Sequence, residues 1–145
     1  MRNKLFTLLF STLIIIIILS SCGTRQQEQQ ASNDPFIEFM QFYNKFLQDS
    51  TFQMGRVLFP LEGMPSNADS ALIAAKNFRW QKEDWIMHRP FEFEGSDFEQ
   101  QFMPFDDDLI VESIVHKSGY ASERRFAKIE DKWYLIYYSG LNQLK

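Results

Sequence analysis

The sequence of 145 residues lacks the patterns on which several classes of functional site depend. Its one cysteine and two histidines cannot form the Cys/His cluster of a zinc site, and one cysteine cannot form a disulfide within the chain. It has no glycine-rich loop of the kind that holds phosphates, and no nucleophile turn built around a serine. The sequence therefore predicts no metal site and no cofactor.

An excess of positive charge is also missing. All 19 acidic residues follow residue 21, whereas Arg2 and Lys4 precede it. Removal of the first 21 residues leaves 13 basic residues and a net charge of −6. Because neutralising phosphates requires a basic surface, we do not expect nucleic acid as a partner.

The first 22 residues have the three parts of a secretory signal. Arg2 and Lys4 form a cationic start, residues 5–19 form an apolar run, and small residues precede Cys22. The apolar run is short for a membrane span, which needs about 20 residues. We therefore predict a signal peptide over residues 1–21 that is removed on export.

The tetrapeptide Leu19-Ser20-Ser21-Cys22 resembles the bacterial lipobox. The resemblance implies that Cys22 is lipidated and becomes the new N-terminus, since two or more acyl chains hold a protein stably on a membrane. The alternative is an uncleaved anchor with an incidental cysteine. Residues 22–33 are rich in glutamine and predict a flexible tether. We expect attachment to the outer membrane, facing the periplasm, with surface exposure left open.

Residues 34–145 predict a single α+β domain that is rich in aromatic residues, with 15 phenylalanines in the whole chain. Asp34-Pro35 is a strong helix start, and the following apolar residues recur at helical spacing for about four turns. The helix should pack on a strongly curved antiparallel sheet. The apolar stripe consists of Phe36, Phe39, Met40, Tyr43, Phe46 and Leu47.

The middle of this domain has a less regular sequence pattern, which predicts its secondary structure less clearly. Residues 56–61 predict a strand that ends or lies at an edge near Pro60, followed by a loop over residues 62–70. We expect a strand over Leu72–Trp80, a turn over residues 81–85 and an extended piece over residues 86–93. Residues 97–102 suggest a helical turn.

The last third is the clearest part. Residues 109–117, 120–129 and 133–139 have strand character and are joined by short turn signals at Ser118-Gly119 and residues 130–132. Two such turns between three strands predict a C-terminal antiparallel meander.

These segments also carry a family resemblance. Residues 119–126 and 132–142, with the helix over residues 39–46 and the strand over residues 56–61, resemble a group of uncharacterised bacterial lipoproteins defined by a domain of unknown function. That group resembles the nuclear-transport-factor-2-like (cystatin-like) superfamily, whose fold is a cone made from a long N-terminal helix and a bent antiparallel sheet. The fold hosts isomerases, dehydratases, binding modules and structural proteins, so it does not identify an activity.

The resemblance suggests where catalytic groups would lie. Enzymes with this fold place an Asp or His base and a Tyr or Asp donor deep in a pocket. The catalytic candidates here are His116, His88 and Asp49, and the sequence alone commits to none of them. His116 ends a mixed, half-exposed strand face, which favours a structural role.

Four residues are candidates for ligand binding. Arg124 and Arg125 are neighbours on a strand and must point to opposite faces; we expect Arg125 on the concave face, where it would bind an anion or pair with Asp49 or Glu112. Arg56 has the same two interpretations. Trp80 and Tyr137 are candidates for stacking on a ligand, against the alternative of core packing. Asp106-Asp107-Asp108 lacks the framework of a calcium loop and predicts a solvated loop.

Three functions remain after these considerations. The first is a non-catalytic, membrane-tethered lipoprotein whose domain binds a small molecule or a protein partner in the periplasm. The second is an isomerase- or dehydratase-type enzyme that uses a His/Asp/Tyr pocket. The third is a homodimeric scaffold, which exposed aromatic alternation over residues 133–138 would support.

Overall fold

The structure is a computed structural model, and it describes residues 34–144. The predicted signal peptide, Cys22 and the tether lie outside the described residues. The chain divides into one unit that ends at Glu38 and a second that begins at Phe39. Of the first unit only residues 34–38 are described; there Asp34 Oδ1 accepts the Phe36 N–H at 2.9 Å, which caps the start of a helix.

The described elements, in chain order, are three α-helices and six strands with one 3₁₀ turn. The helices are α1 (Pro35–Gln48), α2 (Ser50–Met54) and α3 (Ser70–Ala75), and the 3₁₀ turn covers Lys82–Asp84. The strands are β1 (Val57–Met64), β2 (Arg79–Trp80), β3 (Phe98–Asp106), β4 (Leu109–His116), β5 (Tyr120–Ile129) and β6 (Lys132–Gln143).

All six strands form one sheet in the order β2-β1-β6-β5-β4-β3. Strands β3 to β6 form an antiparallel meander, so the predicted α+β class and C-terminal meander are confirmed. The prediction of a wholly antiparallel sheet is wrong, because β1 pairs with β6 in parallel. Such a parallel pair needs a long connection between its strands, and here that connection includes α3 and the rest of the meander.

The predicted strand over Leu72–Trp80 is wrong for most of its length. Residues 70–75 form α3, because Asp69 Oδ1 accepts the Leu72 N–H at 2.8 Å and the helix is closed by Lys76 at φ 52°. Only Arg79 and Trp80 are extended and pair with β1. The alanines of this segment follow their helix propensity.

The helical turn predicted over residues 97–102 is also wrong. Phe98, Gln100 and Phe102 alternate along β3 and pair with β4, so the period of this segment is two. The predicted turn over residues 81–85 is confirmed by the 3₁₀ turn. Residues 86–93 form no regular strand.

Strand β1 extends three residues into the predicted loop, to Met64. Pro60 lies inside the strand, where the register with β6 shifts between Val57 and Glu62. A proline is tolerated at such an irregularity because it has no N–H to donate to the ladder.

From Phe39 onward, α1 packs on one face of the sheet. The rings of Phe39 and Phe46 lie 5.4 and 5.6 Å from Phe126, and Phe39 lies 5.1 Å from Trp133, all in edge-to-face geometry. Phe39, Phe46 and Phe126 are fully buried. We call the sheet face that these rings cover the inner face.

Among residues 34–144, no helix is both long and apolar enough to cross a membrane.

Candidate functional site

Strand register places a row of chemically unlike side chains on the inner face. Phe102 of β3 pairs with Glu112 of β4, Glu112 pairs with Arg124 of β5, and Arg124 pairs with Tyr138 of β6. Directly paired residues point to the same face of a sheet. Arg124 also lies two residues before Phe126, a core residue, so the two side chains point to the same face of β5.

Glu112 is the centre of a buried polar network. Its side chain has no exposed surface, and its Oε1 accepts the Tyr43 hydroxyl at 2.6 Å and the Gln100 amide at 2.6 Å. Its Oε2 lies 2.9 Å from Arg124 Nε in an ion pair. Oε1 therefore accepts two hydrogen bonds, from α1 and β3, whereas Oε2 has the Arg124 cation beside it but no hydrogen bond among the described residues.

Tyr43 lies on α1 and donates its hydroxyl hydrogen to this network. Burial raises the pKa of Tyr43 above its usual value; the Arg124 cation opposes this rise, and the Glu112 carboxylate adds to it. The phenol therefore stays protonated at physiological pH. It also accepts a hydrogen bond from Gln100 Nε2 at 2.8 Å.

Arg124 keeps one group without a partner. Its side chain is 10% exposed, and Nε is used by Glu112. Within the described residues, its buried Nη1 makes no hydrogen bond. Buried polar groups are nearly always hydrogen-bonded, so this group requires an explanation.

Arg124 borders a cavity of about 310 Å³, which we call the inner cavity. Its polar lining includes Ser66, Ser122 and Tyr138. A second cavity of about 190 Å³ shares Arg124, Arg89 and Phe91 with it. The apolar part of the inner cavity is lined by Phe91, Phe98, Ile114 and Leu141.

One wall of the inner cavity comes from the irregular segment 85–93, which Gln53 anchors. Gln53 is 1% exposed; its Nε2 donates to the carbonyls of Phe46 at 2.7 Å and His88 at 2.9 Å. Its Oε1 accepts the His88 N–H at 2.8 Å and the Trp85 indole at 3.2 Å. One glutamine of α2 therefore fixes the backbone from which His88 projects.

His88 lies in an aromatic setting. Its ring centroid is 4.6 Å from Trp85 and 4.5 Å from Tyr138. Burial, with a smaller contribution from the Arg124 cation, lowers the pKa of His88 to about 3. His88 is therefore neutral at physiological pH, and its buried Nδ1 has no hydrogen-bond partner among the described residues.

Tyr138 closes the row on β6. Burial raises the pKa of its phenol, against the opposing effect of Arg124. Its carbonyl accepts the Trp80 indole N–H at 2.9 Å across Gly63. A Cβ at Gly63 would collide with that carbonyl and lie 2.7 Å from Trp80 Nε1, so glycine is required for this close approach.

Arg125 and Tyr137 lie on the opposite face, so the prediction that Arg125 points to the concave face is wrong. Arg125 is exposed, pairs with Glu123 at 2.6 Å and lies over the Tyr137 ring at 4.3 Å. The inward arginine is Arg124.

The position of Tyr137 results from an extra residue in β6. Phe126 pairs with Leu135 whereas Arg125 pairs with Tyr137, which leaves Ile136 as a bulge. A bulge reverses the alternation of side chains, so Tyr138 instead of Tyr137 faces inward.

Arg56 and Trp80, the other two candidates for ligand binding, contact side chains of the domain itself. The Arg56 guanidinium lies 5.2 Å from the Phe52 ring and 5.1 Å from the Tyr134 ring. Trp80 stacks edge-to-face on Phe78 at 5.0 Å and donates to Tyr138 as described above. Trp80 therefore supports a wall residue of the inner cavity.

The remaining catalytic candidates lie apart from this cavity's polar row. Asp49 is exposed and caps α2 by accepting the Phe52 N–H at 2.9 Å. His116 bonds Ser118 Oγ at 2.6 Å and lies 4.0 Å from Asp97. Within the described residues, neither makes a hydrogen bond or an ion pair with Glu112.

Two further expectations can be compared with the described residues. The Asp106 carboxylate accepts the Asp108 N–H at 2.9 Å in an exposed turn, and no group of three metal-ligating side chains occurs in residues 34–144. Trp133 is 3% exposed and packs in the core, so it does not contribute to an outward aromatic surface on β6. Cys22 lies outside the described residues.

Sequence reasoning missed Glu112 and Arg124 as a pair, although a signal was present. Glu112 was considered only as a partner for a neighbouring arginine. The decisive signal is the alternation of side chains along a strand. Arg124 lies two residues from Phe126, the largest apolar residue of β5, so both side chains point to the same face. Tyr43 and Gln100 could not be connected to Glu112 without the strand register.

Comparison with solved structures supplies the fold. A cystatin-like protein from Bacteroides caccae matches with a TM-score of 0.50 and 19% identity, over 70% of this chain and 74% of that one. The chain has a cystatin-like fold. This likeness confirms the predicted cystatin-like resemblance at the level of fold.

A second structure is an NTF2-like protein from Bacteroides fragilis, with a TM-score of 0.49 and 17% identity. The match covers 70% of this chain but 45% of that protein's length. No protein-family model and no curated protein matches the chain. The cystatin-like fold alone does not determine an activity.

Proposed function

We propose that the chain is a membrane-tethered lipoprotein whose cystatin-like domain binds a small molecule in the inner cavity without catalysing a reaction. The observation that carries the proposal is the buried Arg124 at this cavity, with Nη1 unpartnered. Pockets for small ligands combine an apolar lining with a few fixed polar groups, which describes this site. Lipidation at Cys22 would hold the domain at the outer membrane, facing the periplasm.

The chemistry of the cavity favours binding over catalysis. A general base works best with a pKa near the working pH, whereas burial lowers the pKa of His88 to about 3. The Glu112 carboxylate is fully buried, accepts the Tyr43 hydroxyl and the Gln100 amide at Oε1 and pairs with Arg124, which favours a structural role for it. An isomerase- or dehydratase-type enzyme is the alternative, and the contact between His88 and Tyr138 in the cavity wall is its only support.

We infer in addition that the sheet curves strongly around α1, as in the cone of the superfamily. The edge-to-face packing of Phe39 on Phe126 and Trp133 supports this arrangement.

The proposal is tested by filling the cavity. Ser122 of β5 lines the cavity, so Ser122→Phe would place a benzyl group inside it. We expect native mass spectrometry of the full chain, purified from the membranes of the cells that produce it, to detect a retained small molecule on the wild type. Ser122→Phe should lose that mass.

Arg125→Phe is the matched control, because it introduces the same side chain on the opposite face of β5. It should retain the mass. Wild-type protein that carries no added mass, or Ser122→Phe protein that carries the same mass as the wild type, would contradict the proposal.

A further inference from the structure

The charges at the inner cavity do not balance. Among residues 34–144, Arg89 and Arg124 are the only charged residues in its lining, and both also border the second cavity. The adjacent buried carboxylate is Glu112, which pairs with Arg124. His88 adds no charge at physiological pH. Two cations against one carboxylate leave a single positive charge, and because Glu112 pairs with Arg124 this charge is carried by Arg89 at the exposed edge of the cavity.

The guanidinium of Arg124 is only partly used by the protein. Its Nε lies 2.9 Å from Glu112 Oε2, whereas Nη1 is buried and has no hydrogen-bond partner in the described chain. A guanidinium presents its donors in a fixed plane that matches the two oxygens of a carboxylate. A buried cation with one unused donor is a suitable receptor for an acid group.

Besides the uncharged polar side chains of Ser66, His88, Ser122 and Tyr138, the rest of the lining is apolar. Phe98 of β3, Ile114 of β4 and Leu141 of β6 lie along the sheet side of the cavity, and Phe91 lies in the irregular segment. These side chains offer no charge to a ligand, and they gain from covering hydrocarbon. The lining therefore fits a molecule with one acidic end and an apolar body.

We propose that the inner cavity binds a small amphipathic monocarboxylate, with its carboxylate on Arg124 Nη1 and its hydrocarbon part against Phe98, Ile114 and Leu141. This inference rests on the proposed binding function and names its ligand class. The single uncompensated charge favours a carboxylate over a phosphate monoester, which carries between one and two negative charges near neutral pH. A cavity of about 310 Å³ suits a short or medium acyl chain.

The experiment compares two probes that differ in charge at one end. Octanoate and octanamide are titrated by calorimetry into the full chain held in phosphatidylcholine nanodiscs, with empty nanodiscs as the background. We expect octanoate to bind at least about tenfold more tightly than octanamide. Arg124→Gln should remove this preference, whereas Arg125→Gln should keep it because Arg125 lies on the opposite face.

A second variant separates a loss of binding from a loss of folding. Arg124→Gln leaves Glu112 buried without its cation, so the double variant Glu112→Gln/Arg124→Gln removes both charges together. The double variant should fold and bind octanoate no better than octanamide. A double variant that still prefers octanoate would overturn the role of Arg124.

The outcomes separate this inference from the proposed function. Equal affinity for octanoate and octanamide would overturn the monocarboxylate and leave small-molecule binding intact. A neutral or cationic molecule found by mass spectrometry on the wild type would do the same. Absence of binding by either probe, with no retained mass, would overturn both.

Discussion

At the scale of single residues, the Glu112–Arg124 pair is better explained by specificity than by stability. Burying two charges costs several kcal/mol of desolvation for each, which their attraction offsets only when the remaining donors and acceptors are also satisfied. In Glu112, Oε1 meets that condition through Tyr43 and Gln100, whereas Oε2 has no hydrogen-bond partner among the described residues. Arg124 Nη1 also has none. A buried ion pair in which both members are incompletely hydrogen-bonded indicates a place for a polar group of a ligand.

His88 gives the first prediction at this scale. Its pKa is about 3 in the folded chain and about 6.5 when exposed, so between these values the unfolded chain binds one more proton. Stability must therefore fall as the pH is lowered from about 6.5 towards 3. We expect the wild type to lose about 1–2 kcal/mol more than His88→Phe between pH 7 and pH 5.

The measurement is denaturant unfolding of both proteins at several pH values. Phe keeps an aromatic ring against Trp85 and Tyr138 but cannot bind a proton. The exposed carboxylates are common to both proteins and cancel in the comparison. Parallel stability curves would show that His88 is not buried in its neutral form.

At the scale of elements, α2 controls the irregular wall of the cavity through one side chain. Gln53 satisfies both backbone groups of His88, as well as the Trp85 indole. Segments without regular structure depend on such side-chain contacts, because they have no ladder of backbone hydrogen bonds.

Gln53→Ala should therefore loosen segment 85–93. We expect the free energy of unfolding to fall by roughly 1–3 kcal/mol, since buried backbone groups lose their partners. The amide of His88 should exchange with solvent faster in hydrogen-exchange measurements. Gln48→Ala, at the exposed end of α1, is the control and should change neither quantity. Unaltered exchange at His88 in Gln53→Ala would contradict the role of Gln53.

The same elements show how much of the fold and of the site follows from sequence. The start of the helix at Pro35 and the three C-terminal strands follow from capping and from short turn signals, which are local. The bulge at Ile136 is not visible in the sequence, because it depends on pairing with β5. Because of this bulge, Tyr138 and not Tyr137 lines the cavity. The parallel pairing of β1 with β6 is likewise a long-range choice.

At the scale of the whole molecule, the proposed lipidation of Cys22 would join the cystatin-like domain to a membrane. The tether would then set where a ligand is collected, and the cavity would set what is bound. The predicted net charge of −6 after removal of residues 1–21 gives no general attraction for anions. Selection of an acid must then come from the local charges of Arg89 and Arg124.

The tether gives a prediction of its own. Cys22→Ala removes the thiol that would be acylated, so incorporation of labelled palmitate should be lost and the domain should no longer be held by a lipid anchor. Fractionation of cells, with the washed membrane and the soluble fractions compared, measures this. Ser21→Ala keeps the thiol and should stay lipidated. Unchanged palmitate labelling of Cys22→Ala would contradict the lipobox interpretation.

The central claim is that Arg124 receives the acid group of a ligand inside the cavity. A crystal structure of the protein with octanoate tests it most directly. The account predicts a carboxylate oxygen within about 3.2 Å of Arg124 Nη1 and an acyl chain that contacts Ile114 and Leu141. Octanoate bound elsewhere on the domain, or bound in the cavity with its carboxylate away from Arg124, would contradict the claim.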